Sequence, residues 1–164
     1  MLLDKGADVN AQGGRDSNAL YAASSKGHDQ VVRMLLDKRA DVNAQDKGAD
    51  VNAQGGRDSN ALYAASSKGH DQVVRMLLDK RADVNAQGGQ YGNALQAASK
   101  RGHNQVVRML LDKGADVNAQ GGRDSNALQA ASEGGHDQVV RMLLDKGADV
   151  NAQGGVDGHA VRAA

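Results

Sequence analysis

Apolar residues return along the chain in short bursts separated by polar, glycine-rich stretches, and the bursts are of two kinds. In the first, Asn18 precedes Ala19-Leu20-Tyr21-Ala22-Ala23-Ser24, and Gly27 closes the run. A side-chain oxygen ahead of good helix formers predicts an N-cap and a short helix. In the second, Val31, Val32, Leu35 and Leu36 fall at i, i+1, i+4 and i+5, with Arg33 and Asp37 between them. That spacing is one apolar stripe at the 3.6-residue period and predicts a second helix beginning at His28 or Asp29. From position 39 onward, glycine doublets of the Gly13-Gly14 type with Asp and Asn are turn and loop chemistry. Each unit is thus a helix-turn-helix followed by an extended loop.

The unit repeats. Residues 13–45 recur letter for letter at 55–87, and close variants follow at 88–120 and 121–153. The period is 33 residues except between the first two copies, where Asp46 to Gln54 (DKGADVNAQ) duplicate the end of the preceding unit and stretch it to 42. Residues 1–12 match the tail of a unit and 154–164 the head of one. Helices this short are marginal in water alone, because nucleation is unfavourable and few hydrogen bonds follow it. Stability must come from stacking, so residues 1–164 are expected to form a single all-α domain, a solenoid in which each unit buries its Val/Leu stripe against its neighbours. Small residues such as Ala22 and Ala23 let the first helices approach closely.

Composition narrows the chemistry. Pro, Cys, Trp and Phe are absent, and the aromatics are Tyr21, Tyr63 and Tyr91. The core must be Leu, Val, Met and Ala. Without cysteine, disulfide scaffolds, thiolate metal sites and Cys nucleophiles are excluded, which fits an intracellular, cytoplasmic setting. The most apolar window, Val31 to Leu36, carries Arg33 and is far shorter than the roughly 20 residues of a membrane span, so no membrane partner is expected. Twenty basic side chains balance 20 acidic ones, whereas phosphate-neutralising proteins normally carry a basic surplus, so no nucleic-acid partner is expected either. The zero net charge conceals a gradient: 13–45 and 55–87 each carry +1, 88–120 carries +2 and 121–153 carries −2.

These residues resemble the ankyrin repeat. The period, the A-A-x-x-x-G-H-x-x-V-V-x-x-L-L pattern (Ala22-Ala23, Gly27-His28, Val31-Val32, Leu35-Leu36) and the G-A-D-V-N-A tail at Gly114 to Ala119 carry the resemblance over nearly the whole chain. The departure is at the helix start, where the family's Thr-Pro-Leu-His is Asn18-Ala19-Leu20-Tyr21, or Asn93-Ala94-Leu95-Gln96. Asn can cap as Thr does, but the proline and the loop-bridging histidine are missing. The N-A-L-Q-A-A variant is similar to the long ankyrin arrays of fungal proteins. The resemblance implies an ankyrin solenoid with extended, hairpin-like loops and a non-enzymatic module that binds a protein partner on a concave surface of loop tips and first helices, within a larger array protein.

The copies differ mostly there. Arg15, Arg57, Gln90 and Arg123 occupy one loop-tip position and Asp16, Asp58, Tyr91 and Asp124 the next, while Tyr21 and Tyr63 give way to Gln96 and Gln129 on the first helix. These twelve are the candidate partner contacts, with the tyrosines as anchors, since aromatics are enriched among hot spots. Drift at exposed positions would produce the same differences in a structural spacer that binds nothing.

Other chemistry fits poorly. Ser25 and His28, with His28 recurring in every complete unit, are loop and cap residues without a third group to orient a base, so no catalytic site is expected. Five histidines, one per unit, are separated by stacked helices roughly 8–10 Å apart and cannot share a metal ion. Gly55-Gly56 lacks the Gly-Lys-Ser/Thr ending of a phosphate loop. Asp41, Asn43 and Asp46 lack the glycine and closing glutamate of a calcium loop. No cofactor is expected. Three structural expectations remain: stacking survives the 46–54 insertion, which bulges outward; Arg39 and Arg81 occupy a left-handed position held by Gly114 and Gly147 in other copies; and the ends, which resemble interior sequence, are liable to self-associate.

Overall fold

The computed structural model describes residues 8–13, 18–37, 52, 54–55, 59–124, 126–154 and 158–159. Among them the helices come in four pairs: α1 (Ala19–Lys26) with α2 (Asp29–Asp37), α3 (Ala61–Lys68) with α4 (Asp71–Asp79), α5 (Ala94–Arg101) with α6 (Asn104–Asp112), and α7 (Ala127–Gly134) with α8 (Asp137–Asp145). Asn18, Asn60, Asn93 and Asn126 cap the first helix of each pair, each side-chain oxygen accepting the N–H three residues on at 2.8–2.9 Å. Glycine ends each of these helices in the left-handed region, at φ 70–74°. Two short antiparallel ladders complete the described elements. β1 (Gln54–Gly55) pairs with β2 (Ser59–Asn60), and β3 (Gln153–Gly154) with β4 (Gly158–His159).

The stripe on the second helices divides its work between two neighbours. Val73, Val106 and Val139 are fully covered, whereas the equivalent Val31 in the first pair is 40% exposed. At the other edge of the stripe Leu36, Leu78 and Leu111 are buried, and the equivalent Leu144 in the last pair is 41% exposed. The first valine is therefore covered from the preceding repeat and the last leucine from the following one. Between them Leu77, Leu110 and Leu143 are completely buried, each contributing about 2 kcal/mol of transfer free energy. The alanines Ala65, Ala98 and Ala131 are buried where successive first helices pack, as a core without large aromatics requires.

Polar links repeat along the stack. The Nε2 of His70, His103 and His136 meets the main-chain carbonyl of Ser25, Ser67 and Lys100 in the preceding first helix, at 3.2, 3.2 and 3.1 Å. A carbonyl acceptor requires the Nε2–H tautomer. In the loops, Asp83, Asp116 and Asp149 fold their carboxylates onto the N–H two residues on, at 3.0, 3.0 and 2.9 Å. Their own N–H groups donate to Asn52, Asn85 and Asn118 of the preceding loop at 2.7, 2.8 and 2.8 Å. This ladder gives the Asp and Asn of the D-V-N spelling a role in the tails at 83–85, 116–118 and 149–151.

The ladder also revises the reading of the insertion. Stacking does survive it: α1 packs on α3 and α2 on α4, His70 reaches Ser25, and Lys80 pairs with Asp37 at 3.2 Å. Asn52, however, lies inside the inserted 46–54 segment and supplies the ladder rung to Asp83. Its distance in sequence from Asp83 is the same 31 residues seen at the other two rungs. Asn52 docks on Asp83, so it does not belong to an outward bulge. Arg39, Asp41, Asn43 and Asp46 lie outside the described residues.

Arg81 has φ 64°, the one positive value on a non-glycine residue among those described, where Gly114 and Gly147 have 87° and 90°. Left-handed backbone costs a residue with a Cβ roughly 1–2 kcal/mol. Among the described residues nothing lies within 4 Å of a Cβ built at Gly114 or Gly147, and Arg81 is itself exposed, so its side chain buries little to offset the strain. Arg81→Gly is expected to raise stability by about 1 kcal/mol, after subtracting the greater chain entropy of glycine in the unfolded state. A thermal melt reads this as a higher midpoint, and an unchanged or lower midpoint contradicts it.

Candidate functional site

The first helices and the loops that precede them carry the positions at which the copies differ most. Between α1, α3, α5 and the 88–92 loop lies a recess of about 320 Å³. Tyr21 comes from α1, Tyr63 and Lys68 from α3, Tyr91 from the loop and Arg101 from the last turn of α5. The three tyrosines, scattered over 70 positions of sequence, are thus brought to one place by two steps of the stack. Tyr63 is the structural one: its ring packs against Gly89 and its hydroxyl oxygen accepts the Tyr91 N–H at 3.1 Å. Burial pushes that hydroxyl above the ordinary tyrosine value of 10.0, against the opposing pull of the Tyr91 N–H. The Arg101 guanidinium sits 6.0 Å from the centroid of the Tyr91 ring, at the outer limit of a cation–π contact.

Four of the twelve candidate contacts are buried, so the expectation that they face a partner is corrected. Tyr63, Gln96, Gln129 and Asp124 are 8, 1, 0 and 4% exposed. Gln96 Nε2 donates to the main-chain carbonyl of Gly121 at 2.8 Å, with that of Ala119 at 3.5 Å. It bridges to the next loop, which is the task for which the family's histidine was missing. Tyr63 makes the equivalent bridge one repeat earlier through its hydroxyl. The copies differ here because two different side chains solve one packing problem. Gln96→Ala is expected to lower stability by about 1–2 kcal/mol, because it removes a hydrogen bond from a shielded carbonyl. An exposed contact residue would change stability by less than about 0.5 kcal/mol, and urea denaturation separates the two cases.

Asp124 and Gln129 belong to a charged cluster. Lys100 Nζ lies 2.7 Å from Glu133 Oε2 and 3.4 Å from Asp124 Oδ1, and Gln129 Nε2 donates to Glu133 Oε1 at 3.2 Å. Burial raises the Asp124 carboxyl above its ordinary range. The hydrogen bond from Lys100 lowers that of Glu133. Of the remaining candidates, Gln90 and Arg123 are exposed, Tyr21 and Tyr91 are half-buried, and Arg15, Asp16, Arg57 and Asp58 lie outside the described residues. Lys68, Arg101, Lys100 and Glu133 were not among the candidates. Comparison of the copies carried the signal: Ser25, Ser67, Lys100 and Glu133 hold one position, and Lys26, Lys68, Arg101 and Gly134 the next. Among the described residues no three metal-ligating side chains gather, and no helix is long and apolar enough to cross a membrane.

Stacked helix pairs with capped first helices and a loop ladder define a repeat solenoid. The family profiles agree: ankyrin repeats (3 copies) match residues 47–121 and 87–154, and ankyrin repeats (many copies) match residues 2–49. The chain belongs to the ankyrin repeat family, whose repeats generally mediate protein–protein interaction. It is similar to the azaphilone pigments biosynthesis cluster protein L of Monascus ruber, at 70% identity over 34 residues, which is 21% of this chain and 7% of that protein. The matched stretch is about one repeat long and spans a small fraction of that relative.

Proposed function

We propose that this chain is a non-enzymatic binding module, part of a larger intracellular, cytoplasmic ankyrin-array protein, that holds a protein partner on the face formed by first helices and loop tips. The observation that carries the reading is the recess that gathers Tyr21, Tyr63 and Tyr91 with two cationic side chains. Aromatic and arginine side chains are the usual anchors of protein interfaces. Tyr21, Gln90, Tyr91 and Arg123 make contact in this reading, and the loop tips at Arg15, Asp16, Arg57 and Asp58 extend the surface. Tyr63, Gln96, Gln129 and Asp124 shape it from beneath.

A second reading is favoured by one observation: the bridging roles of Tyr63 and Gln96 explain variation between copies without any partner. In that reading the chain is a structural spacer. Selection of random displayed peptides against the intact chain decides between them. The binding reading expects saturable binders that shift the amide resonances of Tyr21, Gln90 and Tyr91 and lose about tenfold in affinity on Tyr91→Ala. Absence of any saturable binder, or binders confined to the second helices, supports the spacer.

A further inference from the structure

We propose that the recess between α1, α3 and α5 is a receptor for a carboxylate side chain, so that the partner is a protein presenting an acidic segment. The inference rests on the binding reading above and names the chemistry of its ligand.

Charge is the first ground. Lys68 and Arg101 line the recess, and among the described residues no carboxylate does. Neither cation makes an ion pair among the described residues, whereas Lys100, one position before Arg101, is neutralised by Asp124 and Glu133. The C-terminal carbonyls of α3 and α5 favour a cation at each position, but they do not account for three tyrosines gathered around the pair. A low-dielectric wall on one side strengthens the field of two unpaired cations at the mouth.

Hydrogen-bonding capacity is the second. The Arg101 guanidinium lies over the Tyr91 ring, which limits its freedom and leaves its edge available for a bidentate carboxylate contact. The hydroxyl oxygen of Tyr63 is already used as an acceptor by Tyr91, so its proton remains to be donated. Ser59 adds a buried hydroxyl with no hydrogen-bond partner among the described residues. The recess therefore offers donors and cations, and an acceptor-only ligand such as an ionised carboxylate matches that set. Its volume of about 320 Å³ is at the lower end of the roughly 300–1,000 Å³ of small-molecule pockets. It suits one or two side chains of a peptide rather than a large cofactor.

The test is an NMR titration of the intact, isotopically labelled chain with a capped peptide alternating Gly and Glu, beside the same peptide with Gln in place of Glu. The expected result is saturable shifts at Tyr63, Tyr91 and Arg101 with the Glu peptide only. Affinity should fall about tenfold on Arg101→Glu and less than about twofold on Arg108→Glu, which makes the same charge change at an exposed position of α6. Should Arg101→Glu fail to fold, Arg101→Gln carries the same comparison with a loss of about fivefold. Equal binding of the two peptides, equal loss in the Arg101 and Arg108 variants, or absence of saturable shifts in the recess overturns the proposal. Displayed binders that occupy the same face without acidic residues overturn it while leaving the binding reading intact.

Discussion

Gly69→Ala is expected to destabilise the stack by about 2–3 kcal/mol, a fall of roughly 5–10 °C in thermal midpoint for a chain of this size. Two costs combine. Gly69 holds φ 74°, a conformation that costs alanine about 1–2 kcal/mol. A Cβ there would also stand 2.6 Å from His103 Nδ1 and 2.8 Å from its Cε1, closer than carbon and nitrogen can approach. The ring cannot simply withdraw, because its Nε2 is bonded to Ser67 at 3.2 Å. Moving it forfeits that bond, worth about 1 kcal/mol. Gly135 supplies the internal control: its φ is 71°, yet among the described residues nothing lies within 4 Å of its Cβ position. Gly135→Ala should therefore cost only the backbone part. The histidine part should disappear from Gly69→Ala in a His103→Ala background, giving a coupling of about 1 kcal/mol in a double-mutant cycle followed by urea denaturation. Equal losses at Gly69 and Gly135 would show that the histidine yields freely and does not fix the spacing of the repeats.

The features legible from sequence are those written inside one repeat. Asn18 as cap, Gly27 as terminator and the Val31-to-Leu36 stripe follow from local rules, and the left-handed backbone of Arg81 could be read because Gly114 and Gly147 hold its position in other copies. What was not legible lies between repeats. Gln96 on a short helix reads as an exposed polar residue until the following loop is laid over it and Gly121 comes within 2.8 Å. The tails at 41–45 and 50–54 are both spelled DVNAQ, so composition and propensity do not tell which one supplies the ladder rung; only its contact with Asp83 does. The recess is a third case. Tyr21, Tyr63 and Tyr91 were visible as rare aromatics, but Lys68 and Arg101 become part of one surface only once the first helices stand side by side. Fold is thus a property of the unit, and the binding surface a property of the stacking.

Lys100→Met is expected to cost about 2 kcal/mol at neutral pH and less in acid, a pH signature that a simple packing defect would lack. Met preserves most of the aliphatic stem, so the change is chiefly one of charge. Removing one member of a buried ion pair costs about 3–5 kcal/mol, because the other charge stays behind. Here Asp124 is buried, while the Lys100 and Glu133 side chains remain 24% and 19% exposed, and solvent screening reduces the figure. The signs follow from each group. Glu133 is depressed, chiefly by the Lys100 hydrogen bond, so it stabilises the native chain above its ordinary 4.5 and that share is lost as pH falls. Asp124 is raised, chiefly by burial, so its protonation favours the folded state as pH falls. Burial alone would lower Lys100, but the Glu133 hydrogen bond and both acidic charges outweigh it, and its share persists until pH climbs above 10.5. In Lys100→Met the Asp124 carboxyl rises further and Glu133 loses its main depressing contact. The native advantage is then greatest between the carboxyl values and 10.5, and shrinks as both carboxyls accept protons. Urea denaturation at neutral and acid pH measures that difference; a deficit of the same size at both would place the role of Lys100 in packing rather than in its ion pairs with Asp124 and Glu133.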